Sequence, residues 1–151
     1  MIAYYDITTT LKDALLEDKN VNTVTKGVRN DIDKYKQTLT PLSHIRVENV
    51  IMEAATLRLS VSIELLDIVD ITSTEEVDKF IGNDNKDDVF NTQLAVGVRL
   101  MDRIRRGDLW GSTYQLDGEP NFEPLDNEYE NGFYGWLLTF DVLYNHDMTI
   151  C

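Results

Sequence analysis

The chain has 151 residues, 42% hydrophobic and 27% charged, which suits one ordinary core in a single domain spanning residues 1–151. Its net charge of −13 would repel phosphate, which argues against general nucleic-acid binding and against an anionic membrane. No apolar run approaches the ~18 residues of a spanning helix, and the start lacks the basic region of a signal peptide. The one cysteine, Cys151, is the last residue, so we expect a soluble protein made in the cytoplasm without an internal disulfide.

The first predicted element is a helix near the N-terminus. Its apolar side chains recur at every fourth position, at Ile7, Leu11 and Leu15. Asp6 suits the N-cap and Asn20 the end of this helix. A short strand is predicted over residues 22–27, and residues 28–42 predict either a strand or a loop.

A β-hairpin is predicted over residues 45–66, with its turn at residues 53–55. The second arm alternates apolar and polar residues, and its apolar members are Leu57, Leu59, Val61, Ile63 and Leu65. A helix would not place these five side chains on one side, whereas a strand does. The consecutive pair Leu65 and Leu66 breaks the alternation, which permits a β-bulge there.

A second long helix is predicted over residues 89–106, with an acidic start and a basic end. Its predicted apolar face consists of Phe90, Leu94, Gly97, Val98, Met101 and Ile104. Three arginines lie on the opposite face, namely Arg99, Arg103 and Arg106. Two interpretations of these arginines stay open: a solvated face that complements the helix dipole, or a basic strip that meets acids of a neighbouring copy.

Two strands are predicted to close the chain, over residues 110–116 and after the turn signal Asn131-Gly132. The last strand has one apolar face, made of Trp136, Leu138, Phe140, Val142 and Tyr144. The order helix, strands, helix, strands predicts an α+β fold with a mostly antiparallel sheet flanked by two main helices.

Residues 117–130 hold six acids and two prolines without any lysine or arginine, which predicts an exposed loop or an irregular sheet edge. Three large apolar side chains interrupt the acids, namely Phe122, Leu125 and Tyr129. An exposed loop gains little from such residues, so we expect contact with a neighbouring subunit to bury them on assembly.

Residue types and spacings indicate no catalytic, cofactor or metal site. Asn83, Asn85 and Asp87 alternate as in a calcium loop, but the glycine and the bidentate glutamate of that loop are missing. The chain has no phosphate-binding glycine motif and no nucleophile elbow. Its two histidines, His44 and His146, are expected at the surface.

The order of elements resembles the tail terminator and tail-completion proteins of long-tailed bacteriophages, which are small head–tail joining proteins. The most specific part of the resemblance runs from Glu130-Asn131-Gly132 through Phe140 to Cys151, supported by the hairpin and by the Phe90–Gly107 helix. Segment 117–130 departs from the pattern because it is longer than a minimal member of the family would need.

This resemblance implies a ring, commonly six-fold, that caps the tail tube and docks on the connector beneath the capsid. It implies a virion protein without enzymatic activity, whose partners are copies of itself, the tail-tube protein and the head-connector protein. Genome DNA would pass through the lumen without sequence-specific contacts, and an acidic lumen suits that passage because it repels phosphate.

Two other functions stay open. One is another ring-forming subunit of the neck or of the tail tube. The other, from a different class, is a small acidic α+β enzyme or ligand-binding domain that uses the acids of 117–130 together with His146. The enzyme would need a concave pocket where these groups converge and titrate abnormally, whereas the structural protein would need a wide, flat interface.

Overall fold

The computed structural model describes residues 3–28, 40–69, 79–80, 85–106, 114–128 and 132–145. Two helices are formed, α1 (Ala3–Leu16) and α2 (Lys86–Arg106). Five strands are formed, β1 (Thr23–Lys26), β2 (Leu42–Met52), β3 (Thr56–Ile68), β4 (Tyr114–Glu128) and β5 (Phe133–Asn145). The strand order is β1-β2-β3-β5-β4, with β1 and β2 parallel and the other neighbours antiparallel. The predicted α+β fold, a mostly antiparallel sheet flanked by two helices, is confirmed.

The main core lies between one face of the sheet and the two helices. From β3 it takes the alternate apolar residues that the sequence predicted, and from β5 it takes Leu138, Phe140 and Val142. The helix α1 contributes Ile7, Leu11 and Leu15, as predicted. The helix begins at Ala3, however, so Asp6 lies in its first turn and the prediction that Asp6 is the N-cap is wrong.

The predicted hairpin is confirmed, because β2 and β3 pair from Leu42 opposite Leu66 to Met52 opposite Leu57. The bulge permitted at Leu65-Leu66 does not form there, since the register shift lies in the partner strand, between Val47 and Asn49. Leu65 and Leu66 are both fully buried. Leu65 belongs to the main core, and Leu66 belongs to a second cluster on the other face with Leu42, Leu125 and Phe133. Two apolar layers therefore accommodate consecutive leucines without a bulge.

The predicted helix α2 is confirmed, but its buried face differs from the predicted one. Its buried residues are Val89, Gln93, Val96, Gly97, Leu100, Met101 and Ile104. Phe90 and Leu94 are only half-buried, and Val98 is 45% exposed. A Cβ atom on Gly97 would lie 2.5 Å from the Phe122 ring, so the helix approaches the sheet most closely at this glycine. This close approach turns Gly97 and its helical neighbours towards the sheet.

The strand β4 replaces the loop expected over residues 117–130. It pairs with β5 from Tyr114 opposite Tyr144 to Glu128 opposite Phe133, with register shifts between Asp117 and Asn121 and between Leu125 and Glu128. The alternative prediction of an irregular edge fits this observation. An edge strand tolerates prolines and acids because its outer side forms no ladder, which is why the composition did not exclude a strand.

The closing strand β5 lies between β3 and β4, as the strong alternation of its sequence indicates. Phe140 is buried in the main core, as predicted. Trp136 is only half-buried, and its indole N–H donates a hydrogen bond to the backbone carbonyl of Phe90 over 2.8 Å. Trp136 thus attaches the first turns of α2 to the sheet, while Phe140 fills the interior.

Candidate functional site

The arginine strip on α2 meets the C-terminal end of α1 in the same chain. The guanidinium of Arg99 donates two hydrogen bonds to the Asp18 carboxylate, over 2.8 and 3.0 Å. The Asp18 side chain is only 13% exposed, whereas that of Arg99 is half exposed. Burial by itself would raise the pKa of Asp18, but the hydrogen bonds from Arg99 and from the Asn20 backbone N–H, with the charge of Arg99, lower it below its ordinary value.

Arg103 makes the next contact along the strip. Its guanidinium lies 3.1 Å from the Glu17 carboxylate and 3.4 Å from the carbonyl oxygen of Ala14, which is one of the last carbonyls of α1. Arg106 instead pairs within its own helix, 3.4 Å from the Asp102 carboxylate, and its side chain is 77% exposed.

All three arginines of the strip therefore have an acidic partner inside the subunit, and two of these partners lie at the end of α1. Arg99 and Arg103 join α1 to α2, and only Arg106 faces mainly solvent. The basic charge of the strip is thus partly neutralised by Glu17 and Asp18 before any second copy approaches. A contact between these arginines and another copy stays a prediction.

A cleft of about 580 Å³ lies between the end of α1 and the middle of α2. Its apolar lining comes from Ala14, Leu15, Val96 and Leu100. Its charged lining comes from Glu17, Asp18, Lys19, Arg99 and Arg103. We call this feature the helix cleft. Three bases and two acids give it a net charge of +1, in a chain whose total is −13.

The apolar residues of the acidic segment lie in the subunit rather than on an exposed loop. Leu125 is only 7% exposed and belongs to the second apolar cluster. Phe122 is half-buried and packs on the main core beside Gly97. The expectation that Leu125 is exposed in the free subunit is wrong, because its side chain packs with Leu42, Leu66 and Phe133 on one face of the sheet. Tyr129 lies outside the described residues.

The free end of the β2–β3 hairpin is a surface that the sequence did not single out. Val50, Ile51 and Met52 are 50%, 48% and 72% exposed, and they are consecutive. We call residues 48–58 the hairpin tip. In the sequence these residues look like any apolar strand end, because nothing local shows that β2 extends past β1 on its outer side. Hydropathy alone gives no signal that distinguishes them from core residues.

His44 is buried, so the expectation of a surface histidine is wrong for this residue. Its Nε2–H donates to the carbonyl oxygen of Gly27 over 2.9 Å, and its Nδ1 accepts from the hydroxyl of Thr25 over 2.7 Å. This side chain therefore links β1 to β2, and both of its ring nitrogens form hydrogen bonds. His146 lies outside the described residues.

The enzyme alternative requires acids that converge in one pocket, and three acids of β4 instead have separate basic partners. Asp117 pairs with Arg58, Glu119 with Arg105, and Asp126 with Lys86, so the acids lie along an edge strand with separate partners. Burial raises the pKa of the Tyr114 phenol to about 12, so this group keeps its proton at neutral pH. Among the described residues, no group of three or more metal-binding side chains lies close enough to hold an ion.

No helix within the described ranges is long and apolar enough to cross a membrane. A scan against models of known protein families returns no match for this chain, and a search of curated proteins finds no similar sequence.

Proposed function

We propose that the chain is a structural virion protein of a tailed bacteriophage that forms a homo-oligomeric ring, six-fold by resemblance, at the head–tail junction. The ring caps the tail tube and connects it to the portal or connector. The genome passes through its lumen without sequence-specific contacts. The protein is made in the host cytoplasm and ends up in the virion, and its role is structural rather than enzymatic.

The observation that carries this proposal is the element order. The resembling family implies an N-terminal helix, a hairpin, a second helix and closing strands, and the chain has α1, β2–β3, α2 and β4–β5 in that order. The fold itself leaves many functions open, since one architecture serves many roles. The surfaces support an assembling role because the hairpin tip has three consecutive exposed apolar side chains, at Val50, Ile51 and Met52.

The acidic edge strand supports the same role. Four acids of β4 are paired or exposed along this edge of the sheet, namely Asp117, Glu119, Glu123 and Asp126. If this side faces the lumen of a ring, its field repels the phosphates of the DNA and limits friction with the duplex. If it lies on the outside, the acids only keep particles apart.

Light scattering on the purified protein across a hundredfold range of concentration tests the proposal. We expect a mass that is a fixed multiple of the 17.4 kDa subunit, and closed rings in negative-stain electron micrographs. A tail-tube subunit would instead grow into tubes of indefinite length. A protein that stays monomeric at every concentration would contradict the proposal and favour a small enzyme or binding domain.

A further inference from the structure

The outer edge of the sheet is accessible along the second half of β2. The short strand β1 covers β2 only from Leu42 to Ile45. Beyond Ile45, β2 has no outer neighbour among the described strands. Its last five residues, 48–52, are all exposed, whichever face of the sheet their side chains occupy. We call residues 46–52 the open edge of β2.

The backbone of the open edge points polar groups outward at every second residue. The Glu53 N–H donates to the Thr56 carbonyl over 2.9 Å, so the backbone groups of Glu53 face β3. Successive residues of a strand direct their N–H and C=O groups to opposite sides within the sheet, so those of Met52 and Val50 point away from β3. An edge strand pairs an additional strand through groups of this kind.

The side chains of the open edge provide apolar contacts on both faces of the sheet. Val50 lies opposite Leu59 and Met52 lies opposite Leu57, so both point to the face of the main core. Ile51 lies between them and points to the other face. Val50, Ile51 and Met52 are 50%, 48% and 72% exposed. A strand added here would therefore find an apolar neighbour on each face.

The open edge has few of the features by which natural sheets prevent pairing. It contains no proline and no lysine, and its two charged residues, Arg46 and Glu48, pair with each other over 3.4 Å. Its one protective feature is the register shift between Val47 and Asn49. Beyond that shift the edge is uncharged up to its end at Met52.

A second copy of the subunit is a poor partner for this edge. Its β4 edge carries Pro120 and Pro124, which lack the N–H of a ladder, and several acids. Its own β2 edge offers only two outward residues beyond the register shift, so the contact buries far less than the roughly 1,000 Å² of a stable interface. Both contacts also bring together two subunits that each carry −13. An extended segment of another protein is free of these limits, because it adapts to an irregular edge more easily than a rigid sheet does.

We propose that the open edge of β2 pairs with an extended segment of a partner protein by strand addition. The partner segment has apolar side chains at alternate positions, which contact Val50 and Met52 on one face. Its charge is neutral or basic, because the subunit is strongly acidic. This inference rests on the proposed function for the place of the partner, which is another protein of the particle. The edge itself belongs to the single subunit and is tested without assembly.

A synthetic peptide tests the edge directly. The probe alternates valine and threonine between two terminal lysines, and fluorescence anisotropy follows its binding to the full chain. We expect saturable binding, and amide hydrogen exchange at Val50 and Met52 slowed on the order of tenfold. The amides of Asn49 and Ile51 face β3 and should not change. A matched peptide with methyl groups on two neighbouring central amides cannot pair along either of its edges and should not bind.

Two variants show whether binding depends on the side chains of the edge. Met52→Lys adds a charge of the kind that protects natural sheet edges and should weaken peptide binding about tenfold. The control Val98→Lys places the same charge at an exposed apolar residue of α2 and should bind like the parent protein. Equal affinities in the two variants, binding of the methylated peptide, or protection confined to other amides overturns the inference.

The same measurements separate this inference from the proposed ring. A ring-forming protein that binds no peptide overturns the inference and leaves the ring standing. Slow exchange at Val50 and Met52 in the ring without peptide shows that a second copy occupies the edge, which also overturns the inference. A protein that stays monomeric and binds the peptide at the edge overturns the ring alone.

Discussion

Gly135 shows how closely the backbones of β3 and β5 approach each other. Its φ is +157°, and a Cβ atom at this position would lie 1.8 Å from the carbonyl oxygen of Leu65. Backbone atoms cannot move aside as a flexible side chain can. The glycine is therefore required by the packing of two strands as well as by its own conformation.

We predict that Gly135→Ala destabilises the protein by more than about 3 kcal/mol, because β5 must shift away from β3. Gly118→Ala is the matched control, since Gly118 also has positive φ, +74°, but has nothing within 4 Å of the added carbon. It should cost only about 1–2 kcal/mol of conformational strain. Urea unfolding of both variants checks this, and equal losses would show that the close approach to Leu65 is not limiting.

Phe140 and Trp136 belong to the same strand but differ in burial. Phe140→Ala should cost about 3–5 kcal/mol, because it leaves a cavity in the main core. Trp136→Ala should cost less, about 1–3 kcal/mol, since the ring is half-buried and its main specific contact is the hydrogen bond to Phe90. Chemical denaturation of the two variants gives the comparison, and a larger loss at Trp136 would contradict it.

Asp18 makes the junction of the helices sensitive to acid. Because its pKa is lowered in the folded state, its ion pair stabilises the fold above the unfolded pKa of about 4 and loses this effect as the pH falls through the folded value. Asp18→Asn should therefore be less stable than the parent near pH 7, by about 0.5–1 kcal/mol because Arg99 is half exposed. The difference should shrink as the pH falls below the unfolded pKa and should vanish once the pH lies below the folded pKa. A thermal-unfolding gap that does not change with pH would count against this.

The contact between α1 and α2 depends on charges at least as much as on apolar packing. Charge reversal of Arg99, Arg103 and Arg106 together would break two links between these helices. A loss of assembly in such a triple variant would therefore not distinguish a damaged interface from a displaced α1.

A charge exchange isolates the link between the helices. Arg99→Asp should destabilise the fold by about 1–3 kcal/mol, because it places two carboxylates together where a bidentate pair existed. The double variant Arg99→Asp with Asp18→Arg should recover at least half of that loss. Melting temperatures of the single and double variants form a double-mutant cycle. If the double variant recovers no stability, the pair depends on the original positions of its hydrogen bonds, which the exchange does not restore.

Strong alternation allowed β3 and β5 to be predicted, because a period of two admits only one arrangement on a half-buried sheet. The buried face of α2 could not be predicted in the same way. Its helix buries Gln93 and Gly97 and leaves Val98 exposed, so the choice of face depends on where the sheet permits close approach. The residues that Gly97 approaches are Leu65 and Phe122, and both are distant from it in the sequence.

The candidate surfaces also differ in whether local sequence reveals them. The arginine strip was visible in the sequence because charge and helical spacing are local properties. Its partners at Glu17 and Asp18 were not, since they come from a helix some 80 positions earlier. The hairpin tip was missed because the exposure of Ile51 follows from the shortness of β1 and not from any property of residues 48–52.

Net charge governs how copies of the whole molecule meet. Each subunit carries −13, so long-range repulsion opposes every contact between copies, whichever surfaces are used. Assembly must therefore draw on apolar burial, which salt does not screen.

We predict that association becomes tighter as salt is added, on the order of tenfold between 0.01 and 0.15 M, because the Debye length falls from about 30 to 8 Å over that range. Sedimentation velocity at both salt concentrations measures this. Asp13→Asn with Glu123→Gln removes two exposed charges and should reduce the salt dependence without changing the fold. Association that weakens with salt would instead show that ion pairs between copies dominate, and would favour the arginine strip as the main interface. Association through buried apolar surface predicts the first result, because its driving force is unchanged while the repulsion is screened.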